Sequence, residues 1–176
     1  MINKTGSISR VIAFIDRLTQ LTGVSIAWLL VAMVLIQTLV VILRYGFDIG
    51  SIALQESVSY IHASCFMLGA AYTLKIDGHV RVDIFYRNFG PRGQALVNLL
   101  GSLLLLLPVC GFIFWTSLEY VQQAWSMKEQ SSDTGGLPIV YLLKTLIPLL
   151  AISLILQGIA EIARNGLQLL PNRADQ

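Results

Sequence analysis

The segment at residues 95–115, ALVNLLGSLLLLLPVCGFIFW, carries no charged side chain over 21 positions. At 1.5 Å per residue, a helix of this length matches a bilayer hydrocarbon core of roughly 30 Å. A helix buried in a soluble domain has no physical reason to be apolar on every side for that length, whereas a helix that faces lipid has one. The segment therefore predicts a transmembrane helix.

Three further apolar segments have spanning length, at residues 24–43, 58–74 and 137–160. Only 12% of the residues are charged, whereas an ordinary soluble domain has about 25%, and the mean hydropathy is +0.71. No polar segment is long enough to form a second domain. We predict an all-α membrane protein with a single domain over residues 1–176, four transmembrane helices, an N-terminal amphipathic helix and short interfacial helices.

The residues before the first span show apolar side chains at helical spacing, at Ile8, Val11, Ile12 and Ile15, with charged residues between them. This pattern suits a short amphipathic helix on the membrane surface, and equally a helix that extends the first span into water. A cleaved signal peptide is not expected, because the first apolar run begins near residue 24 and has full spanning length.

Basic residues are distributed unequally between the two sides of the predicted spans. With the N-terminus in the cytoplasm, the outer segments contain Arg44 and Lys128, and Lys144 lies within the fourth span. The inner segments then contain nine basic residues: Lys4, Arg10, Arg17, Lys75, Arg81, Arg87, Arg92, Arg164 and Arg173. Because basic residues concentrate in cytoplasmic segments, we predict that both termini lie in the cytoplasm.

The connection between the second and third spans combines a helix stop with a one-sided apolar pattern. Gly78 tolerates the left-handed backbone that ends helices, so the pair Asp77-Gly78 is expected to end the second span. Apolar residues then recur at i, i+3, i+4 and i+7 up to the pair Gly90-Pro91: Val82, Phe85, Tyr86 and Phe89. The pattern predicts a short helix in the headgroup region.

Three prolines mark the third and fourth spans. Pro138 follows the loop SSDTGG and suits the first turn of the fourth span, where a missing N–H has no cost. Pro108 and Pro148 lie inside spans, where each is expected to kink its helix. The segment TSLEYVQQAWSMKEQ contains no strong breaker, so the third span is expected to continue as helix beyond the bilayer.

Charged side chains lie near the ends of the predicted spans and not at the midplane: Arg44, Glu56, Glu119 and Lys144. A proton or ion relay would place ionisable groups deep in the bilayer, so these positions favour structural pairing or contact with a partner. Gln157, late in the fourth span, and His62, in the second, can hydrogen-bond between helices.

His79 and Asp83 are four residues apart and could share a metal ion, but two ligands make an incomplete site. A solvated His79 near lipid headgroups is the favoured interpretation. A membrane haem protein would need paired histidines from different helices, whereas both histidines lie on one segment. Cys65 and Cys110 lie within spans, and no CxxC, HExxH or phosphate-binding glycine loop occurs. Neither an enzyme nor a cofactor is expected, and no nucleic-acid partner.

Three segments carry a resemblance to a known family. LQESVSYIHASCFML, which contains Glu56, leads into GAAYTLKIDGHVRVDIFY, which contains His79, Arg81 and Asp83. Together with the later GGLPIVYLLKTLIPLLAISLILQGIAEI, which contains Lys144 and Gln157, they resemble the small, four-helix membrane subunit of tripartite ATP-independent periplasmic (TRAP) transporters. The resemblance covers most of the chain between residues 24 and 165.

The resemblance implies a non-catalytic subunit in a bacterial inner membrane. In that family the small subunit joins a large multi-span permease subunit that binds substrate and sodium, and a soluble periplasmic protein delivers the substrate, usually an organic acid. Sodium is therefore expected on the large partner. Arg44, Glu56, His79, Arg81, Asp83, Lys144 and Gln157 are then structural or partner-interface candidates, with membrane lipid around the remaining surface.

Two alternatives come from other functional classes. A stand-alone, homo-oligomeric four-helix transporter or channel would need a polar stripe along one helix, whereas the spans show only scattered Ser, Gln and Asn. A membrane enzyme would need an interfacial site, for which the segment around His79, Arg81 and Asp83 is the candidate. A neighbouring reading frame for a large permease would favour the TRAP subunit over both.

Overall fold

The computed structural model describes residues 2–79, 86 and 88–170. Helices and their connections make up this part of the chain, with no strand in the described ranges. Among the described residues, three helical stretches are long and apolar enough to cross a membrane: Ile8–Gly46, Pro91–Met127 and Val140–Leu169. The all-α membrane fold is therefore confirmed. The predicted spans at 24–43 and 95–115 lie within these stretches, and the one at 137–160 begins three residues before the third stretch.

Helix α1 (Ile2–Gly46) is one continuous helix of 45 residues. It contains no proline, so nothing separates the amphipathic N-terminal segment from the first span. Of the two arrangements open for that segment, the structure has the helical extension. In this extension Ile15 and Thr19 are buried against the rest of the bundle, while Phe14 and Leu18 are exposed.

Helix α2 (Ile52–Lys75) begins after Ser51, whose hydroxyl accepts a hydrogen bond from the Leu54 N–H at 3.4 Å. It ends where predicted, but the left-handed residue is Asp77 (φ 56°) and not Gly78. Aspartate tolerates this conformation, and the Gly78 N–H then closes the helix end onto the Thr73 carbonyl at 2.8 Å. With 24 residues α2 has spanning length, yet it is not apolar enough to join the three stretches above. The span at 58–74 stays a prediction.

The third span consists of α3 (Pro91–Gly101), a π-helical turn (Ser102–Leu106) and α4 (Leu107–Met127). The π turn ends two residues before Pro108. A proline ring clashes with the carbonyl four residues before it, and the wider turn gives that carbonyl room. As expected, the helix continues past residue 115, and it ends at Lys128 in a left-handed conformation (φ 44°).

Helix α5 (Val140–Leu169) contacts α1, α2, α3 and α4, and α1 also packs along α2. Pro148 lies inside α5, whereas Pro138 lies before its N-cap residue, Ile139. The placement of Pro138 in the first turn was therefore wrong. Leu137 and Pro138 instead belong to the loop between α4 and α5, and the Leu137 N–H donates a hydrogen bond to the Glu56 carboxylate. The most deeply buried apolar side chains are small, which lets helices approach closely: Ala71, Ala95, Ala124, Ala151 and Ala160.

The interfacial helix predicted from Val82, Phe85, Tyr86 and Phe89 falls largely outside the described residues, as do Arg81 and Asp83. Tyr86 and Phe89 are described, and both line an open cleft of about 550 Å³ between α2, α3 and α5. The cleft lies at the end of the bundle where the sequence predicts the cytoplasm.

Candidate functional site

Gln157 on α5 is completely buried, with 0% of its surface exposed. Its carbonyl oxygen accepts a hydrogen bond from Thr19 Oγ1 on α1 at 2.9 Å. Its amide nitrogen donates to Asp16 Oδ1 at 3.2 Å and to Glu161 Oε1 at 3.3 Å. A buried amide is costly unless it is hydrogen-bonded, so these contacts fix the register between α1 and α5.

Arg164, two turns along α5 from Gln157, bridges the carboxylates that the amide also contacts. Its Nη2 donates to Asp16 Oδ2 at 2.8 Å, and its Nη1 donates to Glu161 on the same helix. Because both carboxylates share one guanidinium and one amide, the group acts as a single network.

Lys75, the last residue of α2, connects this helix to the network formed by α1 and α5. Its Nζ donates to the Asp16 carbonyl oxygen at 2.9 Å and to Gln20 Oε1 at 2.8 Å. We call the set the Gln157 cluster: Asp16, Thr19, Gln20, Lys75, Gln157, Glu161 and Arg164. It holds two acidic and two basic side chains, so its formal charges cancel. It joins α1, α2 and α5 at the predicted cytoplasmic end.

Glu56 lies at the opposite end of the bundle, in the first turns of α2. Its Oε1 accepts a hydrogen bond from the Ser131 hydroxyl, and its Oε2 accepts one from the Leu137 N–H at 2.6 Å. These two hydrogen bonds lower the pKa of the Glu56 carboxyl below its ordinary value of 4.5. Glu56 therefore holds the loop between α4 and α5 against the start of α2 as a carboxylate.

Gly136 completes this contact. A Cβ atom built there would lie 2.7 Å from Glu56 Oε1 and 2.4 Å from Ser131 Oγ. The Ser131 N–H also donates to the Leu137 carbonyl at 3.2 Å, which closes the loop on itself. We call Glu56, Ser131, Gly136 and Leu137 the Glu56 contact.

Lys144 on α5 forms an ion pair with Glu129, just past the end of α4, and its Nζ lies 4.0 Å from the centre of the Tyr120 ring. Nearby, Trp125 Nε1 donates to Thr145 Oγ1 at 2.9 Å. These contacts join α4 to α5 at the end of the bundle that also carries Glu56.

The remaining candidates are not brought into either group. Arg44 and His79 are exposed, and neither has an ion pair with another described residue. Arg81 and Asp83 lie outside the described ranges, so the His79–Asp83 pair has no structural outcome. Within those ranges, no three His, Cys, Asp or Glu side chains are placed to hold a metal ion.

Most of the Gln157 cluster was not predicted from the sequence: Lys75 and Arg164 counted only as flanking basic residues, and Asp16 and Glu161 had no predicted contact. A signal was present. Gln157, Glu161 and Arg164 follow one another at spacings of four and three, which places them on one face of α5. Asp16 and Thr19 have the matching spacing of three on α1.

The family model described as "Tripartite ATP-independent periplasmic transporters, DctQ component" matches residues 33–166. A Haemophilus influenzae protein named "Putative TRAP transporter small permease protein" is 28% identical over 94 residues, which cover 53% of this chain and 56% of that protein. The chain thus matches about half the length of this curated relative. No solved structure matches it. Because the family model covers well over half of the chain, this integral membrane protein belongs to the DctQ component family of TRAP transporters.

Proposed function

We propose that this chain is the non-catalytic small subunit of a sodium-driven importer of organic acids in a bacterial inner membrane. Its partners are a large multi-span permease subunit and a periplasmic substrate-binding protein. The observation that carries the proposal is the Gln157 cluster. The polar groups within it form hydrogen bonds and ion pairs with one another, and their charges cancel.

A charge-balanced network of this kind supports a rigid frame and not a transport site. An anion site must present donors that replace the hydration shell of the substrate, and a sodium site must present free oxygen ligands. Asp16 and Glu161 instead accept from Arg164 and Gln157. Glu56 and Lys144, at the other end, have partners as well. The sodium and substrate sites are therefore assigned to the large subunit.

The small subunit would contribute a fixed scaffold beside the moving parts of the large subunit. Its two polar groups are well placed for that role, because they join helices at opposite ends of the bundle. In the orientation that the basic residues favour, both termini and the Gln157 cluster face the cytoplasm. The Glu56 contact and the Lys144 pair then face the periplasm, where the binding protein delivers its substrate.

Reconstitution in liposomes tests the proposal. Three preparations are compared under an inward sodium gradient: this chain alone, this chain with the large subunit, and both with the binding protein. We expect sodium-dependent uptake of an organic acid only from the complete set. Uptake by this chain alone would contradict the scaffold role and favour a homo-oligomeric transporter.

A further inference from the structure

The exposed residues of α2 form a single narrow stripe. Five residues of this helix are exposed, and they recur at spacings of three, four, three and four: Ile52, Gln55, Ser59, His62 and Phe66. We call this set the α2 stripe. The remaining residues of α2 are buried or half-buried, and the helix packs against α1 and α5. The stripe is thus the outward face of α2.

The chemistry of the α2 stripe does not suit lipid. Gln55, Ser59 and His62 have polar side chains that make no hydrogen bond to another described residue. His62 lies within about 3 Å, along the axis, of the midpoint of a helix that runs beside two membrane-spanning stretches. Polar side chains at that depth are costly in hydrocarbon and usually face other helices.

The outward faces of the neighbouring helices differ in character. On α1 the large apolar residues Trp28 and Leu35 are 72% and 66% exposed, and on α4 Phe112 is 68% exposed. Ser25 is also exposed on α1, beside Ile26, which faces Gly69 toward the inner end of α2. Gln37 and Thr38 interrupt the α1 surface near its outer end, and the Thr38 hydroxyl donates to the Val34 carbonyl at 2.8 Å. The polar stripe at mid-helix depth is therefore a property of α2.

We propose that the α2 stripe is the surface on which a transmembrane helix of the large permease subunit docks. The alternating spacing of three and four residues has a mean of 3.5. Residues repeated at this spacing form the contact line between two helices that cross at about 20°. The docking helix would present a hydrogen-bonding side chain opposite His62 and a small residue opposite Phe66. This inference rests on the proposed function, because it names the contact surface for that partner.

The stripe also explains why α2 has the weakest spanning character of the bundle. A helix that faces lipid on its outer side needs an apolar outer face, whereas a helix covered on both sides does not. Insertion next to α1 and α5 covers the inner face of α2, and the large subunit would cover the outer one. Without that partner, Ser59 and His62 would face acyl chains, and Gln55 would lie near the headgroups at the outer end of α2.

The first test replaces Phe66 with the photo-crosslinker benzoylphenylalanine in cells that express both membrane subunits. Matched controls carry the same group in place of Trp28 or Phe112, which are nearly as exposed as Phe66 at 74%. We expect a crosslink to the large subunit from position 66 and none from positions 28 and 112. A crosslink from position 66 to a second copy of this chain, or no crosslink from it in a complex that co-purifies, would overturn the proposal.

A second test measures how much large subunit is retained by tagged His62→Leu and Ser59→Leu variants. Loss of one interhelical hydrogen bond should lower retention by about threefold to tenfold. Thr38→Leu, on the outward side of α1, is the control and should retain the wild-type amount. Variants of α2 that all retain the wild-type amount would place the interface elsewhere, while the proposed function would stand. Absence of the large subunit from the wild-type preparation would instead contradict the proposed function itself.

Discussion

The carboxylate of Asp16 on α1 accepts a hydrogen bond from the Arg164 guanidinium on α5 at 2.8 Å, across 148 residues of sequence. Both side chains are only partly exposed, Arg164 at 34% and Asp16 at 25%. The same carboxylate accepts from Gln157, which is fully buried. The N-terminal extension of α1 is therefore part of the helix bundle through a polar contact, and not only through apolar packing.

Removal of either partner of the Asp16–Arg164 pair should destabilise the bundle. Arg164→Ala leaves Asp16 without its cationic partner, whereas Asp16→Ala leaves Arg164 paired with Glu161 alone. Since the pair is half-buried, each change is expected to cost about 1–3 kcal/mol, between the values for exposed and buried pairs. The measurement is unfolding in mixed detergent micelles. The double variant should lose less than the sum of the two single losses, and strict additivity would show that the two residues act independently.

Substitution of Gln157 tests whether the buried amide is held by its hydrogen bonds. Gln157→Leu keeps the volume but leaves the Thr19 hydroxyl without its acceptor and Asp16 Oδ1 without its amide donor, so we expect a loss of about 1–2 kcal/mol. The addition of Thr19→Val should recover part of that loss, because the orphaned hydroxyl is then removed as well. A Gln157→Leu variant as stable as the wild type would show that the amide has no structural role.

The sequence predicted the helices well and their polar contacts only in part. The boundary after Lys75, the length of the third span and the pairing of Glu56 and Lys144 near span ends follow from local patterns and from the cost of charge in hydrocarbon. The contacts of Asp16 with Gln157 and Arg164 depend on how α1 and α5 lie relative to each other, which no local pattern encodes. The π turn before Pro108 and the left-handed Asp77 are also choices among several conformations that the sequence permits.

The stability of the Glu56 contact should decrease at low pH. Because folding lowers the Glu56 pKa below 4.5, its stabilising effect is fully present above that value and is lost as the pH falls through the lower, folded-state value. Hydrogen–deuterium exchange of the Leu137 amide, corrected for intrinsic rate, should show protection at pH 6 and progressive loss of protection below pH 4.5. Glu56→Gln should remove this pH dependence, whereas Glu119→Gln, an exposed acid on α4, should preserve it.

Gly136 is expected to be intolerant of even a methyl group. In Gly136→Ala the new Cβ would lie 2.4 Å from Ser131 Oγ and 2.7 Å from Glu56 Oε1, so these side chains or the loop must shift and the Glu56 contact is disturbed. We expect the variant to lose protection of the Leu137 amide at pH 6, as acid does in the wild type. Gly111→Ala is the matched control, because nothing lies within 4 Å of its Cβ and alanine favours helix. Equal protection in both variants would show that the loop is not held at Glu56.

The predicted orientation of the bundle rests on nine basic residues on one side against Arg44 and Lys128 on the other. Single cysteines replacing Asp48, Gly78 or Gln130, in a chain that lacks Cys65 and Cys110, report it through an impermeant thiol reagent. All three positions lie in connections between helices, so the side of the membrane decides their labelling. We expect reagent added from the periplasm to label positions 48 and 130, and position 78 only after the membrane is opened. Labelling of position 78 in intact cells would invert the assignment and place the Gln157 cluster at the periplasmic face.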